Sequence, residues 1–146
     1  MSGGGAYETL RRQVLNQLSD AVAVAMDSGH AKATLLLDFY HLYRGDNDFG
    51  SLHLINGKGL PVFHINDYPG SRPRTELKDS DRVFPGEGIC PFQKVLPLLY
   101  DTGFRGALSV ELFNRSYWET MDVREVLKTS FDKTARVIDR SLQREG

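Results

Sequence analysis

Three apolar segments of the sequence each end in side chains that can bind a metal ion. The first, TLLLDFYH, carries Asp38 and His41; the second, LPVFHINDYPG, carries His64; the third, ALSVELFN, carries Glu111. A carboxylate, an imidazole and a second carboxylate form a mixed oxygen and nitrogen ligand set that suits Mn²⁺, Co²⁺, Zn²⁺ or Mg²⁺. Asp38, His64 and Glu111 are therefore candidate ligands of a divalent metal ion.

Each of these three residues also has an ordinary structural explanation. Asp38 alone is as readily a helix or turn cap, and His64 alone is more often a hydrogen-bonded histidine at a strand end than a ligand. Glu111 is harder to explain, because apolar residues flank it on both sides and burying a carboxylate is costly unless it is paired or metal-bound. The three residues together favour a metal site much more strongly than any one of them.

Two further polar residues are candidates for substrate contacts. His41 lies three residues after the first carboxylate, close enough to line the same site. Arg82 lies in the long polar segment 67–88, where it could hold a hydroxyl or phosphate of a substrate. A surface loop explains His41 equally well, and most arginines in long loops are solvated. The glycine-rich PGEG, residues 85–88, is a weak phosphate-binding signal, and Cys90 beside a helix start is interpreted as structural.

The apolar pattern predicts that helices and strands alternate along the chain. Four helices are predicted over residues 7–29, 49–55, 90–103 and 122–142, and three strands over residues 33–38, 61–66 and 107–112. This alternation indicates an α/β fold with a parallel sheet and right-handed crossovers. In such folds, ligands bind at the carboxyl ends of the strands, which is where Asp38, His64 and Glu111 fall.

Composition and charge restrict the classes of function. The 146-residue chain has a formal net charge of -1, so it offers no basic surface for a nucleic acid. Its single cysteine excludes an internal disulfide and is compatible with a reducing cytosol, so we expect a cytoplasmic location. No apolar stretch approaches the ~18 residues of a membrane span. Residues 1–5 are interpreted as a flexible lead and residues 6–146 as a single domain.

Four motifs of the sequence resemble those of a known enzyme family and occur in the same order. They are LLLDFYHLYRG, VFHINDYP, DRVFPGEG and GFRGALSVELFNRSYW. They resemble the C-terminal half of the sugar phosphate isomerase/epimerase family, which belongs to the xylose isomerase-like TIM barrel superfamily. The resemblance covers nearly the whole chain, from about Ala6 to the final predicted helix.

The resemblance implies a metal-dependent enzyme of sugars, cyclitols or similar hydroxy-carbonyl compounds, either an isomerase, an epimerase or a related dehydratase. One divalent ion, Mn, Co, Zn or Mg, is expected in the mouth of the barrel, where Asp38, His64 and Glu111 match three of the family's four metal ligands. His41 and Arg82 match residues that contact the substrate. In the family's epimerases, the metal-bound glutamates also move the proton on the carbon next to the carbonyl. Glu111 is thus the expected acid/base.

The resemblance also implies a partial (β/α)8 barrel, because a full barrel needs roughly 250 residues. The family's first metal-binding glutamate would lie on a strand preceding the first predicted helix. The half-barrel would expose two strand edges and an apolar inner surface. We therefore expect it to form a homo-oligomer or to pair with a complementing N-terminal half-barrel. The alternative function is a truncated, catalytically incompetent barrel fragment that persists through such pairing.

Overall fold

The computed structural model describes residues 17–45 and 49–143. The first element within them is helix α1, Leu18–Asp27, which is the second part of the helix predicted over residues 7–29. Gly29 follows the helix with a φ of 58°, in the left-handed region that glycine adopts without steric cost. The expected lead at residues 1–5 and the first part of the predicted helix, residues 7–16, lie outside the described residues.

Three strands form one parallel sheet, as the sequence predicts. The strands are β1 Leu37–Asp38, β2 Val62–Ile65 and β3 Ala107–Val110, and their order in the sheet follows the chain. The other α-helices of the described residues are α2 Phe39–Arg44, α3 Phe92–Asp101, α4 Arg115–Thr120 and α5 Val123–Leu142. Single 3₁₀ turns lie at Gly50–Leu54, Gly57–Gly59, Arg74–Glu76 and Asp79–Asp81. The α/β class with three parallel strands is therefore confirmed.

The strands are shorter than the apolar runs that predicted them. β2 begins at Val62, because Pro61 has no N–H to donate to the ladder with β3. β1 ends at Asp38, because the side chain of that residue caps helix α2 and turns the chain into it. β3 ends one residue before Glu111. The two carboxylates of the predicted site thus lie at the end of one strand and just beyond the end of another.

Two short helices, α2 and α4, are absent from the sequence prediction of four helices. Each has six residues, which is too few to display helical periodicity. Each begins at a side-chain cap, since Asp38 and Asn114 accept hydrogen bonds from backbone N–H groups of the first turn. The helix predicted over residues 49–55 is a 3₁₀ turn. No helix of the described residues combines the length and apolar composition needed to cross a membrane.

Among the described residues, helices cover only one face of the sheet. Side chains alternate between the two faces of a strand, and Phe63 and Ile65 of β2 point into the core, where both are fully buried. Phe39 packs on Phe63 with ring centroids 4.7 Å apart. His64 lies on the opposite face, and Leu36, which precedes β1, is 60% exposed. The described elements therefore leave the face that carries His64 open.

Cys90 belongs to the core between the sheet and the helices. Burial raises the pKa of its thiol above the usual value. The thiol consequently stays protonated at neutral pH, and a protonated, buried thiol is unreactive. This agrees with the structural interpretation of Cys90.

Replacing Phe63 by alanine should remove the centre of the core. We expect the free energy of unfolding to fall by about 3–5 kcal/mol, because the change leaves a cavity beneath the sheet. Chemical denaturation followed by circular dichroism measures the change. Phe131→Ala is the matched control, since Phe131 is 73% exposed and its loss should alter stability by no more than about 0.5 kcal/mol. Equal effects of the two changes would contradict this description of the core.

Candidate functional site

The geometry of the parallel sheet brings Asp38, His64 and Glu111 together. Asp38 pairs in register with His64, and His64 pairs with Ser109. Glu111 follows Ser109 by two residues and therefore points to the same side. His64 Nδ1 lies 3.5 Å from Asp38 Oδ2 and 3.4 Å from Glu111 Oε2. Potential ligand atoms of all three residues lie within 4.8 Å of one another.

Asp38 uses its two carboxylate oxygens for different contacts. Oδ1 accepts hydrogen bonds from the N–H groups of Tyr40 at 2.7 Å and His41 at 3.2 Å, which caps helix α2. Oδ2 faces His64. Asn66 donates to both oxygens, at 3.1 and 3.2 Å, and so fixes the plane of the carboxylate. The sequence presented a helix cap and a metal ligand as alternative roles of Asp38. In the structure the same side chain caps α2 and faces His64.

Arg82 is buried among the acidic residues of the site, with only 1% of its surface exposed. Nη1 donates to Asp38 Oδ2 at 2.9 Å and to Glu111 Oε2 at 2.6 Å, and Nη2 donates to Asp79 Oδ1 at 2.8 Å. Burial opposes the charge, but Asp38 and the hydrogen bonds to Asp79 and Glu111 together raise the pKa of the guanidinium above its usual value. Arg82 therefore stays charged, and its interpretation as a solvated loop arginine is wrong.

His41 and two aromatic rings complete the surroundings of the guanidinium. Arg82 Nη2 lies 3.1 Å from His41 Nε2, and because a guanidinium can only donate, Nε2 accepts this hydrogen bond. Arg82 Cζ lies 4.5 Å from the ring centroid of Tyr40 and 5.1 Å from that of Phe113, within reach of cation–π attraction. Burial raises the pKa of Tyr40 to about 12, so its ring is a neutral phenol. Both predicted substrate contacts, His41 and Arg82, thus adjoin the three candidate ligands.

The donor set fits a divalent metal ion. Two carboxylates and an imidazole are ligands that Zn²⁺, Mn²⁺ and Co²⁺ accept. The oxygens that face His64 also contact Arg82. A carboxylate offers about four lone-pair sites, so each of these side chains can accept from the arginine and still bind an ion.

Sequence reasoning missed three polar residues that support the site. Asn66 and Asp67 follow His64 at the end of β2, and their signal was their polarity directly after a buried strand. Asn66 orients Asp38, and Asp67 accepts hydrogen bonds from backbone N–H groups of the segment 85–90. Asp79 lies three residues before Arg82 in a polar loop, where nothing distinguished it from the neighbouring acidic residues.

The glycine-rich PGEG segment binds a carboxylate of the protein itself. The N–H groups of Gly86 and Gly88 donate to Asp67 Oδ2 at 3.0 and 2.9 Å. These are the groups that the weak phosphate-binding signal would have required. The segment therefore holds an internal anion, which corrects that interpretation.

Comparisons with known proteins place this chain in one family. The sequence profile of the xylose isomerase-like TIM barrel matches residues 5–139. Inosose isomerase of Bacillus licheniformis is 29% identical over 126 residues, which are 86% of this chain and 45% of that protein. D-psicose 3-epimerase of Agrobacterium fabrum is 28% identical over 100 residues, which are 68% of this chain and 30% of that protein.

A solved structure shows the same arrangement of elements. The crystal structure of the IOLI protein with a binding zinc atom is 28% identical and superposes with a TM-score of 0.78, over 88% of this chain and 46% of that chain. The chain thus spans about half the length of the curated relatives that it matches.

Replacing Arg82 by methionine should destabilise the fold. The change leaves the buried carboxylate of Asp38 without its cation, and we expect the free energy of unfolding to fall by about 3–5 kcal/mol in chemical denaturation. Arg115→Met is the matched control, because Arg115 is 85% exposed and pairs with Glu119 on the surface of α4. Its loss should cost at most about 1 kcal/mol. Small, equal losses in both variants would contradict a structural need for the buried cation.

Proposed function

We propose that this chain, which belongs to the xylose isomerase-like TIM barrel family, carries the active-site residues of a divalent-metal-dependent isomerase, epimerase or related dehydratase. The substrate is a sugar, a cyclitol or a similar hydroxy-carbonyl compound. The observation that carries the proposal is the convergence of Asp38, His64 and Glu111 within 4.8 Å. Arg82 donates a hydrogen bond to Glu111 and lies within hydrogen-bonding distance of His41. The names of the relatives, an isomerase and an epimerase, support the reaction class.

The three converging residues divide the work between ion binding and proton transfer. Asp38, His64 and Glu111 would hold the divalent ion, which when bound polarises the substrate carbonyl and its neighbouring hydroxyl. Glu111 takes the proton from the hydroxyl-bearing carbon next to the carbonyl, so that the C–H bond breaks and an O–H bond to the carboxylate forms. In an isomerisation it delivers that proton to the former carbonyl carbon, while the hydroxyl proton passes to the former carbonyl oxygen. Glu111 suits this role because its side chain is one-third exposed, whereas Asp38 is buried beneath it.

His41 would bind an oxygen atom of the substrate, whereas Arg82, which is buried and already bonded to protein groups through both Nη atoms, would act through its charge. When Glu111 removes the proton, the electron pair passes to the carbonyl oxygen, and the guanidinium of Arg82 lies within 2.6 Å of Glu111 to stabilise that negative charge. His41 lies on the other side of the guanidinium and offers its imidazole to a hydroxyl. The site itself orders the element that carries His41, since the cap by Asp38 starts that helix.

A second candidate function is favoured by the open face of the sheet. Within the described residues, β1 and β3 each pair with one neighbouring strand, so each has a free edge. The face that carries His64 also exposes Leu36. Free strand edges and exposed apolar residues are sites of association. On this second proposal the chain is a truncated, catalytically incompetent barrel fragment that pairs with another copy or with an N-terminal half-barrel.

Replacing Glu111 by glutamine should abolish proton transfer. We expect kcat for inosose or D-psicose to fall by about a hundredfold to ten-thousandfold, because an amide cannot accept the proton. Incorporation of solvent deuterium next to the carbonyl, followed by NMR, measures the step directly. Glu119→Gln is the matched control, since Glu119 is an exposed partner of Arg115 on α4. Wild-type rates of deuterium incorporation in Glu111→Gln would eliminate Glu111 as the acid/base.

Metal content and assembly should be linked. Size-exclusion chromatography with light scattering, with metal analysis across the peak, should find a defined assembly that carries stoichiometric divalent ion. His64→Gln should lose the ion, because the amide is a poor ligand, whereas exchange of the exposed His53 for glutamine should not. A metal-free or aggregating wild-type chain would contradict the enzymatic proposal for the isolated chain and favour the second candidate.

A further inference from the structure

The carboxylate of Asp67 accepts four backbone hydrogen bonds from one loop. Oδ1 accepts from Tyr68 N at 2.8 Å and Cys90 N at 2.8 Å, and Oδ2 accepts from Gly86 N at 3.0 Å and Gly88 N at 2.9 Å. Only 1% of the residue is exposed. A buried carboxylate needs such donors because burial otherwise disfavours its charge. These bonds tie the segment 86–90 to the end of β2.

The backbone of Asp67 holds the same loop at a second point. Asp67 N donates to Val83 O and Val83 N donates to Asp67 O, both at 2.9 Å, as an isolated antiparallel bridge. Arg82 is the residue immediately before Val83. The backbone at the base of the Arg82 side chain is therefore fixed to the end of β2, three residues after His64.

The glycines of the PGEG segment fit closely around this carboxylate. A Cβ at Gly88 would lie 2.4 Å from Asp67 Oδ1 and 2.2 Å from Tyr68 O, closer than atoms in contact can approach. Gly86 has a φ of 86°, in the left-handed region. The segment thus forms a nest of N–H groups whose occupant is the Asp67 side chain.

We propose that Asp67 is the positioning residue for Arg82, and that its hold on the loop places the guanidinium between Asp38 and Glu111. The contacts of the Arg82 guanidinium orient that group itself. The position of the Arg82 backbone is fixed by the Asp67–Val83 bridge and by the four hydrogen bonds that the Asp67 carboxylate accepts. Loss of the carboxylate releases residues 86–90, so that the backbone bridge at Val83 becomes the end of the ordered segment and the guanidinium can leave both acids. The consequence for substrate rests on the proposed function, whereas the consequence for Arg82 does not.

Asp67→Asn tests the inference through the guanidinium itself. In the wild-type full chain, NMR should resolve protected Nη–H signals of Arg82, assigned by their absence in Arg82→Lys. In Asp67→Asn these signals should broaden or vanish, together with amide protection at Gly86 and Gly88, while the amides of β2 keep theirs. Asp132→Asn, an exposed carboxylate on α5, should leave all of them unchanged. Retention of the Arg82 signals in Asp67→Asn, or their absence from the wild type, overturns the proposal.

A second readout separates positioning from a merely structural role. Activity on inosose should fall by about a hundredfold in Asp67→Asn, as expected for a misplaced charged group. The affinity for Mn²⁺ should change by the same factor as in Arg82→Gln, because both variants take the guanidinium away from the two ligand carboxylates. In an Arg82→Gln background the same change should cause no further loss, because Asp67 acts through Arg82. Multiplying losses in the double variant overturn the proposal.

The two proposals fail in different ways. A wild-type chain without turnover refutes the proposed function, and the NMR signals then still decide whether Asp67 places Arg82. If Asp67→Asn does not fold, Gly88→Ala provides the same test from the other side of the contact, since its Cβ displaces the carboxylate. A folded Gly88→Ala chain with unchanged Arg82 signals overturns the inference, and one with lost signals supports it.

Discussion

The buried charge of Arg82 is the interaction on which the rest of the site depends. Parallel strands collect Asp38 and Glu111 at one end of the sheet, and two carboxylates that close would repel each other without a cation. Apart from Asp38 itself, none of the sheet residues of β1, β2 and β3 carries a permanent charge, so the permanent positive charge comes from a loop. The folded segment after β2 supplies that charge, because it returns the guanidinium of Arg82 to the strand ends.

That requirement explains the unusual length and composition of the loop. A segment of this length loses much conformational entropy on ordering, so it needs fixed points along its course. Asp67 provides them at Val83 and again at the glycines that follow. Asn114 adds another, since its side-chain amide donates to Arg82 O at 3.1 Å. The loop is therefore ordered by these polar contacts together with apolar packing, since its side chains Tyr68, Leu77 and Phe84 are fully buried.

Sequence reasoning identifies the features of the fold and the site that follow from the pattern of neighbouring residues. The three strands and the convergence of Asp38, His64 and Glu111 follow from apolar runs and the geometry of parallel sheets. The burial of Arg82 does not, because it depends on contacts between residues more than forty positions apart. The role of the PGEG glycines could not be predicted for a different reason, since a nest of N–H groups does not reveal whether its anion comes from a ligand or from Asp67.

The polar end of β2 shows how one short sequence can serve several contacts at once. Along residues 64–67, His64 faces the two carboxylates of the site, and the side chain of Ile65 is buried in the core. Asn66 orients Asp38, and Asp67 accepts hydrogen bonds from the loop. A strand end is the place where this is possible, because backbone N–H groups and side chains of different elements meet there. An apolar residue at any of the three polar positions would remove one of these contacts, and at position 67 it would leave three loop N–H groups without their acceptor. The abrupt change from apolar to polar residues is thus a requirement of the fold as well as of the proposed chemistry.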